Sequence, residues 1–343
     1  MTISRICDLR ENRTPLGCVE MAMPEPGKGE ILIKVTACGV CHTELDEIEG
    51  RTPPPRFPVI PGHQVVGRVV RTGPAVTRFA EGDRLGIAWI YFACGTCEFC
   101  LGGLENLCPQ FMATGRDADG GYAEYMKIPE GFAFPVPESI PDAEAAPLLC
   151  AGAVGYRSLR LTGMKNGEGI GLTGFGASGH LVLKMVKHLY PGSDLFVFAR
   201  SERERDFARE QGAVWAGDTT EPSPEKLDCI IDTTPAWKPA VEALKNLKSG
   251  GRLVINAIRK ENADRDYLLQ ISYHDHLWME KSVLTVANVT RRDVAEFLSL
   301  AAAIPIKPEI ETFPLEQANE ALLQLKERKI RGAKVLVMEG EGY

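Results

Sequence analysis

From Glu168 to Leu284 short apolar runs alternate with amphipathic segments: GIGLTG, ASGHLVLKMVKHLY, DLFVFA, SERERDFAREQGA, DCIIDTT, AVEALKNL and GGRLVINA follow in that order. No other feature narrows the fold as much. Strands that recur after helical crossovers pair in parallel, and a parallel sheet must be covered on both faces. The expectation is a doubly wound parallel-sheet α/β domain. Gly174, Gly176 and Gly179 form a GxGxxG that closes the first apolar run and opens the first amphipathic one. In that setting the glycines permit a tight turn and close approach of backbone to a pyrophosphate, which sits at the positive end of the helix. An acidic residue about 20 positions on would hold a ribose 2′-hydroxyl, but LFVFARSERER offers Ala199, Arg200 and Ser201. With no carboxylate to repel a 2′-phosphate and Arg200 able to pair with one, the segment predicts NADP(H) in preference to NAD(H). A solvated arginine is the plainer alternative.

The flanking sequence reads differently. Residues 28 to 145 are rich in Gly, Pro and β-branched residues, with runs such as ILIKV, VVGRVV and DRLGIAW between turn signals. Many short strands in a barrel or sandwich are expected. Near Pro141 the pattern turns helical in PDAEAAPLLCAGAVGYRSLRLT, and past Thr285 it gives helices in RRDVAEFLSLAAA and EQANEALLQLKERK before a last strand, KVLVME. These ends are expected to rejoin the first domain, so that 1–148 and 286–343 form one domain and 149–285 the other. Trp215, Trp237 and Trp278 read as packing residues.

Ten cysteines in 343 residues need a purpose. The N-terminus, MTISRICDLRENRTP, carries charges where a signal peptide has an apolar stretch, and no apolar run reaches the roughly 20 residues that span a bilayer. A cytoplasmic protein is expected, in which clustered thiols bind metal or do redox chemistry. A net charge of −7 without a basic cluster excludes a nucleic-acid surface. Cys94, Cys97, Cys100 and Cys108 give C-x2-C-x2-C-x7-C in a loop containing Gly95, Gly102 and Gly103. Four thiolates satisfy a tetrahedral zinc ion and leave no open position, so the metal is structural. An iron-sulfur cluster is the rival, kept open by Pro109. Cys41, His63 and Cys150 have suggestive surroundings and the donor set of an open zinc site, but their spacing alone does not reveal one.

Taken together, G-V-C-H-T at 39–43, P-G-H at 61–63, the four-cysteine lobe, C-A-G from 150 with Tyr156, and the GxGxxG resemble the zinc-dependent medium-chain alcohol dehydrogenases of the microbial tetrameric type. The resemblance implies a GroES-like barrel catalytic domain beside a Rossmann domain. It places a catalytic zinc on Cys41, His63 and Cys150 and a structural zinc on the lobe. Two thiolates and a neutral imidazole balance a 2+ ion, so the site can accept an alkoxide whose hydride passes to a nicotinamide ring. The resemblance also implies that Thr43 takes the substrate proton and that Glu44 fixes the tautomer of His63. His42 and Arg331 match cofactor contacts, Trp89 matches a wall of the substrate pocket, and a homotetramer or dimer built through the nucleotide domains is expected.

Three positions depart from the pattern. Gln64 stands where relatives usually have Glu. Asp46, with Glu49 nearby, stands where many carry the His that ends the proton relay, which alters the expected pH profile. Thr52 replaces a Trp of yeast-like enzymes, which enlarges the cleft for alcohols bulkier than ethanol. The expected reaction interconverts primary alcohols and aldehydes, with a polyol, aromatic-alcohol or aldehyde reductase of the same family as the runner-up and a non-catalytic nucleotide-binding redox sensor as the alternative from another class. The intact ligand set disfavours a zinc-free quinone or enoyl reductase.

Overall fold

A computed structural model describes residues 1–304, 306–327 and 332–338. The chain divides into two compact units, Met1–Cys150 with Val289–Tyr343, and Ala151–Asn288. The first begins its main sheet with β1 (Glu30–Val40), followed by helix α1 (His42–Ile48), then β2 (Val65–Thr72), β3 (Arg84–Ile87), β4 (Tyr125–Pro129), β5 (Ala133–Pro135) and α2 (Asp142–Pro147). β1 is the centre of this sheet. Ile31, Leu32 and Ile33 are all fully buried, so β1 has protein on both faces, as a run of consecutive apolar residues requires. It pairs antiparallel with β2 and with β4, while β2 pairs with β3 and β3 with β5.

The second unit supplies α3 (Ala153–Thr162), β6 (Ile170–Thr173), α4 (Ala177–Leu189), β7 (Leu195–Phe198), α5 (Glu202–Gln211), β8 (Trp215–Gly217), β9 (Leu227–Asp232), α6 (Trp237–Asn246), β10 (Leu247–Ile255) and β11 (Ser282–Thr285). All six strands are parallel, in the order β8-β7-β6-β9-β10-β11. This is the dinucleotide-binding arrangement in which strand order reverses beside the first strand. Its core joins Phe196, Phe198, Leu227, Ile230 and Leu253 of the sheet to Ala240, Ala243 and Leu244 of α6. Trp215 packs on Phe198 with ring centroids 5.2 Å apart. Trp278 does not pack as the sequence suggested: it is 46% exposed, following a turn at the edge of the sheet, with its ring against that of His274.

The chain then returns to the first unit through α7 (Arg291–Ala303), β12 (Ile310–Pro314), α8 (Ala318–Lys326) and β13 (Ala333–Val337). β13 pairs antiparallel with β1, opposing Lys334 to Val40 and Leu336 to Cys38, and β12 extends the sheet beyond it in parallel.

Candidate metal centres and dinucleotide turn

β1 runs directly into Cys41, which caps the N-terminus of α1. The Cys41 N–H donates to Glu44 Oε2 at 2.8 Å, and His63 Nδ1–H donates to the other oxygen, Oε1, at 2.6 Å. One carboxylate therefore fixes both the helix start and the imidazole. Nε2, the ring nitrogen that Glu44 does not engage, is buried and has no hydrogen-bond partner among the described residues. Cys150 arrives from Leu148–Gly152, a π-helical turn following α2; such turns recur at functional sites. The ligand atoms of Cys41, His63 and Cys150 lie within 4.8 Å of one another.

Protons are shared unevenly among these donors. The hydrogen bond from Cys150 draws Cys41 well below the usual thiol range, with His63 adding to it against the cost of burial. The same bond, with burial, pushes Cys150 well up. Burial opposes charge on His63, but Glu44 and Cys41 outweigh it and draw the ring up. A thiolate, a thiol and an orphaned imidazole nitrogen at this spacing fit a divalent ion that displaces their protons. Two sulfurs and one nitrogen leave a fourth position open.

The second cluster sits between Phe92 and Pro109. Cys94, Cys97, Cys100 and Cys108 bring their sulfurs within 4.8 Å of one another, with Cys94 and Cys100 3.9 Å apart. A tetrahedron with zinc–sulfur bonds of about 2.3 Å has edges of about 3.8 Å. Backbone N–H groups of Thr96 and Cys97 donate to Cys94 Sγ at 3.5 and 3.3 Å, and those of Cys94 and Gln110 donate to Cys108 Sγ. The bonds to Cys94 Sγ from Thr96 N foremost, then from the Thr96 hydroxyl and Cys97 N, lower the Cys94 pKa to about 6, whereas burial raises that of Cys100 to about 12. Four sulfurs here close the coordination shell.

Around the open site, Thr43 is buried with its Oγ1 3.7 Å from Cys41 Sγ. Asp46 is buried and accepts from Arg51 Nε at 2.5 Å. Arg51 also holds Glu49, which is engaged in turn by Lys326. Neither Arg51 nor Lys326 is marked as a partner by spacing, since one lies off the helical repeat and the other comes from α8. Thr52 and Trp89 each present a buried polar atom, Oγ1 and Nε1, without a hydrogen-bond partner among the described residues. Trp89 packs on Phe111, centroids 5.1 Å apart. Gln64 is buried against Gly39, where a Cβ would stand 2.6 Å from its Oε1. His42 is exposed at the first position of α1.

In the second unit each glycine of the turn has a separate reason. Gly174 has φ +76°. A Cβ on Gly179 would come within 2.9 Å of Gly174 O, and one on Gly176 would meet nothing within 4 Å. The first therefore makes the turn, the last lets α4 pack closely, and the middle one leaves backbone open to a ligand. No side chain caps α4. Ala199 is buried at the end of β7, Arg200 is exposed, and Ser201 caps α5, accepting from Glu204 N at 3.3 Å. Arg205, which no motif singles out, donates to Ala199 O at 2.8 Å. Arg331 lies outside the described residues.

A sheet unit bearing one closed and one open metal-donor cluster, interrupted by a Rossmann unit, defines the two-unit class of metal-dependent dehydrogenases. Residues 27–138 match the alcohol dehydrogenase GroES-like domain family. A probable alcohol dehydrogenase of Mycobacterium tuberculosis is 41% identical over 329 residues, covering 94% of this chain and 93% of that one. Among solved structures, a cobalt- and zinc-bound thermostable alcohol dehydrogenase from Pyrobaculum aerophilum is 25% identical with a TM-score of 0.83, each chain covered to 98%. A putative zinc-binding dehydrogenase from Sinorhizobium meliloti bound to NADP is 26% identical, TM-score 0.79, covering 92% of this chain and 94% of that one. The chain belongs to the zinc-dependent medium-chain alcohol dehydrogenases. No helix among the described residues is long and apolar enough to cross a membrane.

Proposed function

We propose that the protein interconverts primary alcohols and aldehydes, using zinc on Cys41, His63 and Cys150 and a nicotinamide dinucleotide on the Gly174–Gly179 turn, with NADP(H) preferred. The observation that carries this reading is the buried, unpartnered Nε2 of His63, aimed with two cysteine sulfurs into one open site. When bound, zinc supplies a Lewis acid that polarises the substrate oxygen, and the nicotinamide accepts or returns the hydride.

The chain's own residues do the rest. Glu44 holds His63 in the tautomer that offers Nε2. Thr43, beside Cys41, takes the hydroxyl proton of the alcohol, and Asp46 passes it outward. Trp89 walls the pocket, while Thr52, smaller than an indole, leaves room for longer substrates. Arg200 pairs with a 2′-phosphate where Ala199 offers no competing carboxylate, Ser201 closes the same strand end, and His42 and Arg331 contact the cofactor phosphates. The four cysteines at 94–108 hold a structural zinc. The protein works in the cytoplasm, where its thiols stay reduced, as a homotetramer or dimer joined through the Rossmann units.

Metal analysis with a C2 to C8 primary alcohol series under both cofactors tests the assignment. Two zinc ions per chain, activity above ethanol in the series and a higher kcat/KM with NADP are expected. A strong NAD preference removes Arg200 from the 2′-phosphate, ethanol as clear optimum removes the enlarged pocket, and no turnover of any alcohol or aldehyde with zinc loaded sinks the reading. Asp46→Asn is expected to shift the pH dependence of alcohol oxidation; an unchanged profile takes Asp46 out of the relay.

A further inference from the structure

The carboxyl end of the Rossmann sheet holds a buried cation that the chemistry above does not use. Asp232, the last residue of β9, stands in register with Thr173, the last residue of β6, directly before Gly174. Its carboxylate is fully buried and accepts from Thr173 Oγ1 at 2.5 Å, from Thr234 N at 3.1 Å and from Thr234 Oγ1 at 2.7 Å. It also forms an ion pair with Lys260, whose side chain is 7% exposed. Lys260 Nζ gives its other two hydrogens to the carbonyls of Thr234 and Ala236, each at 2.8 Å. All three ammonium protons are thus directed onto the connection that leaves β9. The segment carrying Lys260 is tied to that connection twice more, by Asn256 N to Asp232 O at 2.8 Å and by Glu261 N to Pro235 O at 2.7 Å.

Burying an ion pair is a costly way to join two loops, since an apolar pair of similar volume often does as well. What a lysine with three acceptors adds is a fixed direction for the turn it holds. That direction matters because of what the turn touches. A Cβ on Gly174 would stand 2.9 Å from Thr234 Cγ2 and 3.0 Å from Thr233 Oγ1. The same threonines therefore wall in the residue that begins the glycine-rich loop. β6 and β9 flank the point at which strand order reverses, the place where open α/β sheets take their ligands.

We propose that Lys260 is a positioning residue for the dinucleotide. Acting through Asp232 and Thr234, it holds the glycine-rich turn and the segment 256–262 in the arrangement the cofactor needs. The inference rests on the reading of that turn as a dinucleotide site. It is tested with the full-length zinc-loaded protein by equilibrium titration with NADP and with NAD, and by steady-state kinetics, with thermal unfolding followed in parallel. Lys260→Met is expected to weaken binding of the preferred dinucleotide about tenfold and to raise its KM alike, while kcat at saturation stays within about twofold. Lys260→Met leaves the buried Asp232 charge without its partner, so the double variant Asp232→Asn with Lys260→Met, which removes both charges, guards against a general loss of fold. That variant is expected to regain thermal stability without regaining affinity, and Lys260→Arg to recover part of the affinity. Unchanged dinucleotide affinity in either Lys260→Met variant overturns the proposal. Failure of the unaltered protein to bind NADP or NAD overturns the reading of the turn, and the proposal with it.

Discussion

Glu44 carries more of the site than any other side chain that does not itself reach the metal position, because its two oxygens orient donors that lie twenty-odd residues apart. Its neighbour Glu47 is the opposite case. That carboxyl is buried, and neither oxygen has a hydrogen-bond partner among the described residues. Burial above all, and then the charge of Glu44, raise its pKa well above the usual carboxylate range. A raised pKa in the folded state favours folding below the ordinary carboxyl range and loses that benefit as pH rises through the raised value. Glu47→Leu is therefore expected to stabilise the protein at neutral pH by about 1–3 kcal/mol, with the advantage shrinking towards pH 4. Urea unfolding at a series of pH values checks this, and a destabilised variant at pH 7 contradicts it. The four cysteines at 94–108 were legible as chemistry because their spacing is short and local, whereas Cys41, His63 and Cys150 lie far apart in the chain and stood out only through the family resemblance. Glu47 was not, because HTELDEIEG looks like a solvated acidic helix face and only packing reveals that Thr43 to Ile48 are all buried.

At the scale of elements, the strand-to-helix position of the glycine-rich turn was readable, since Gly174 with its positive φ and Gly179 with its close approach to Gly174 O answer backbone demands. The anchoring of the cysteine lobe was not. Glu105, between Cys100 and Cys108, is buried and accepts from Arg291 Nε at 2.7 Å, and the Arg291 guanidinium lies 5.0 Å from the centre of the Phe132 ring. Arg291 begins α7, so nothing in the local sequence of the lobe points to it. Besides the metal proposed for its four thiols, the lobe is held by an ion pair to a helix from the far end of the chain. Arg291→Ala is expected to cost about 2 kcal/mol, combining a lost charged hydrogen bond and a cation–π contact, and to open the lobe to proteolysis. Limited digestion mapped by mass spectrometry checks it. Cleavage no faster between Cys94 and Cys108 than in the unaltered protein removes the anchor.

For the whole molecule, the alternation of strand and helix between Glu168 and Leu284 was sufficient to foresee a parallel sheet, and the Gly- and Pro-rich stretch before it a β unit. Strand order and partners depend on pairings between residues hundreds of positions apart, which periodicity does not encode. The sheet also ends in a feature that composition concealed. β11 is an edge strand with Val283 and Leu284 exposed, next to Trp278 and Met279. Unpaired strand edges with apolar side chains invite a partner strand. If two copies of the chain join there, Val283→Lys is expected to reduce the assembly to smaller species, read by sedimentation velocity; an unaltered sedimentation coefficient places the contact elsewhere. The return of the chain to β1 has its own consequence. A ribosome delivers the continuous segment from Ala151 to Asn288 before β13 emerges, so the nucleotide unit is able to finish folding while the strand destined to lie beside Cys38 is still being made. The unit that carries the metal-donor clusters is then the last to be completed, because β1 gains its β13 neighbour only when the end of the chain emerges.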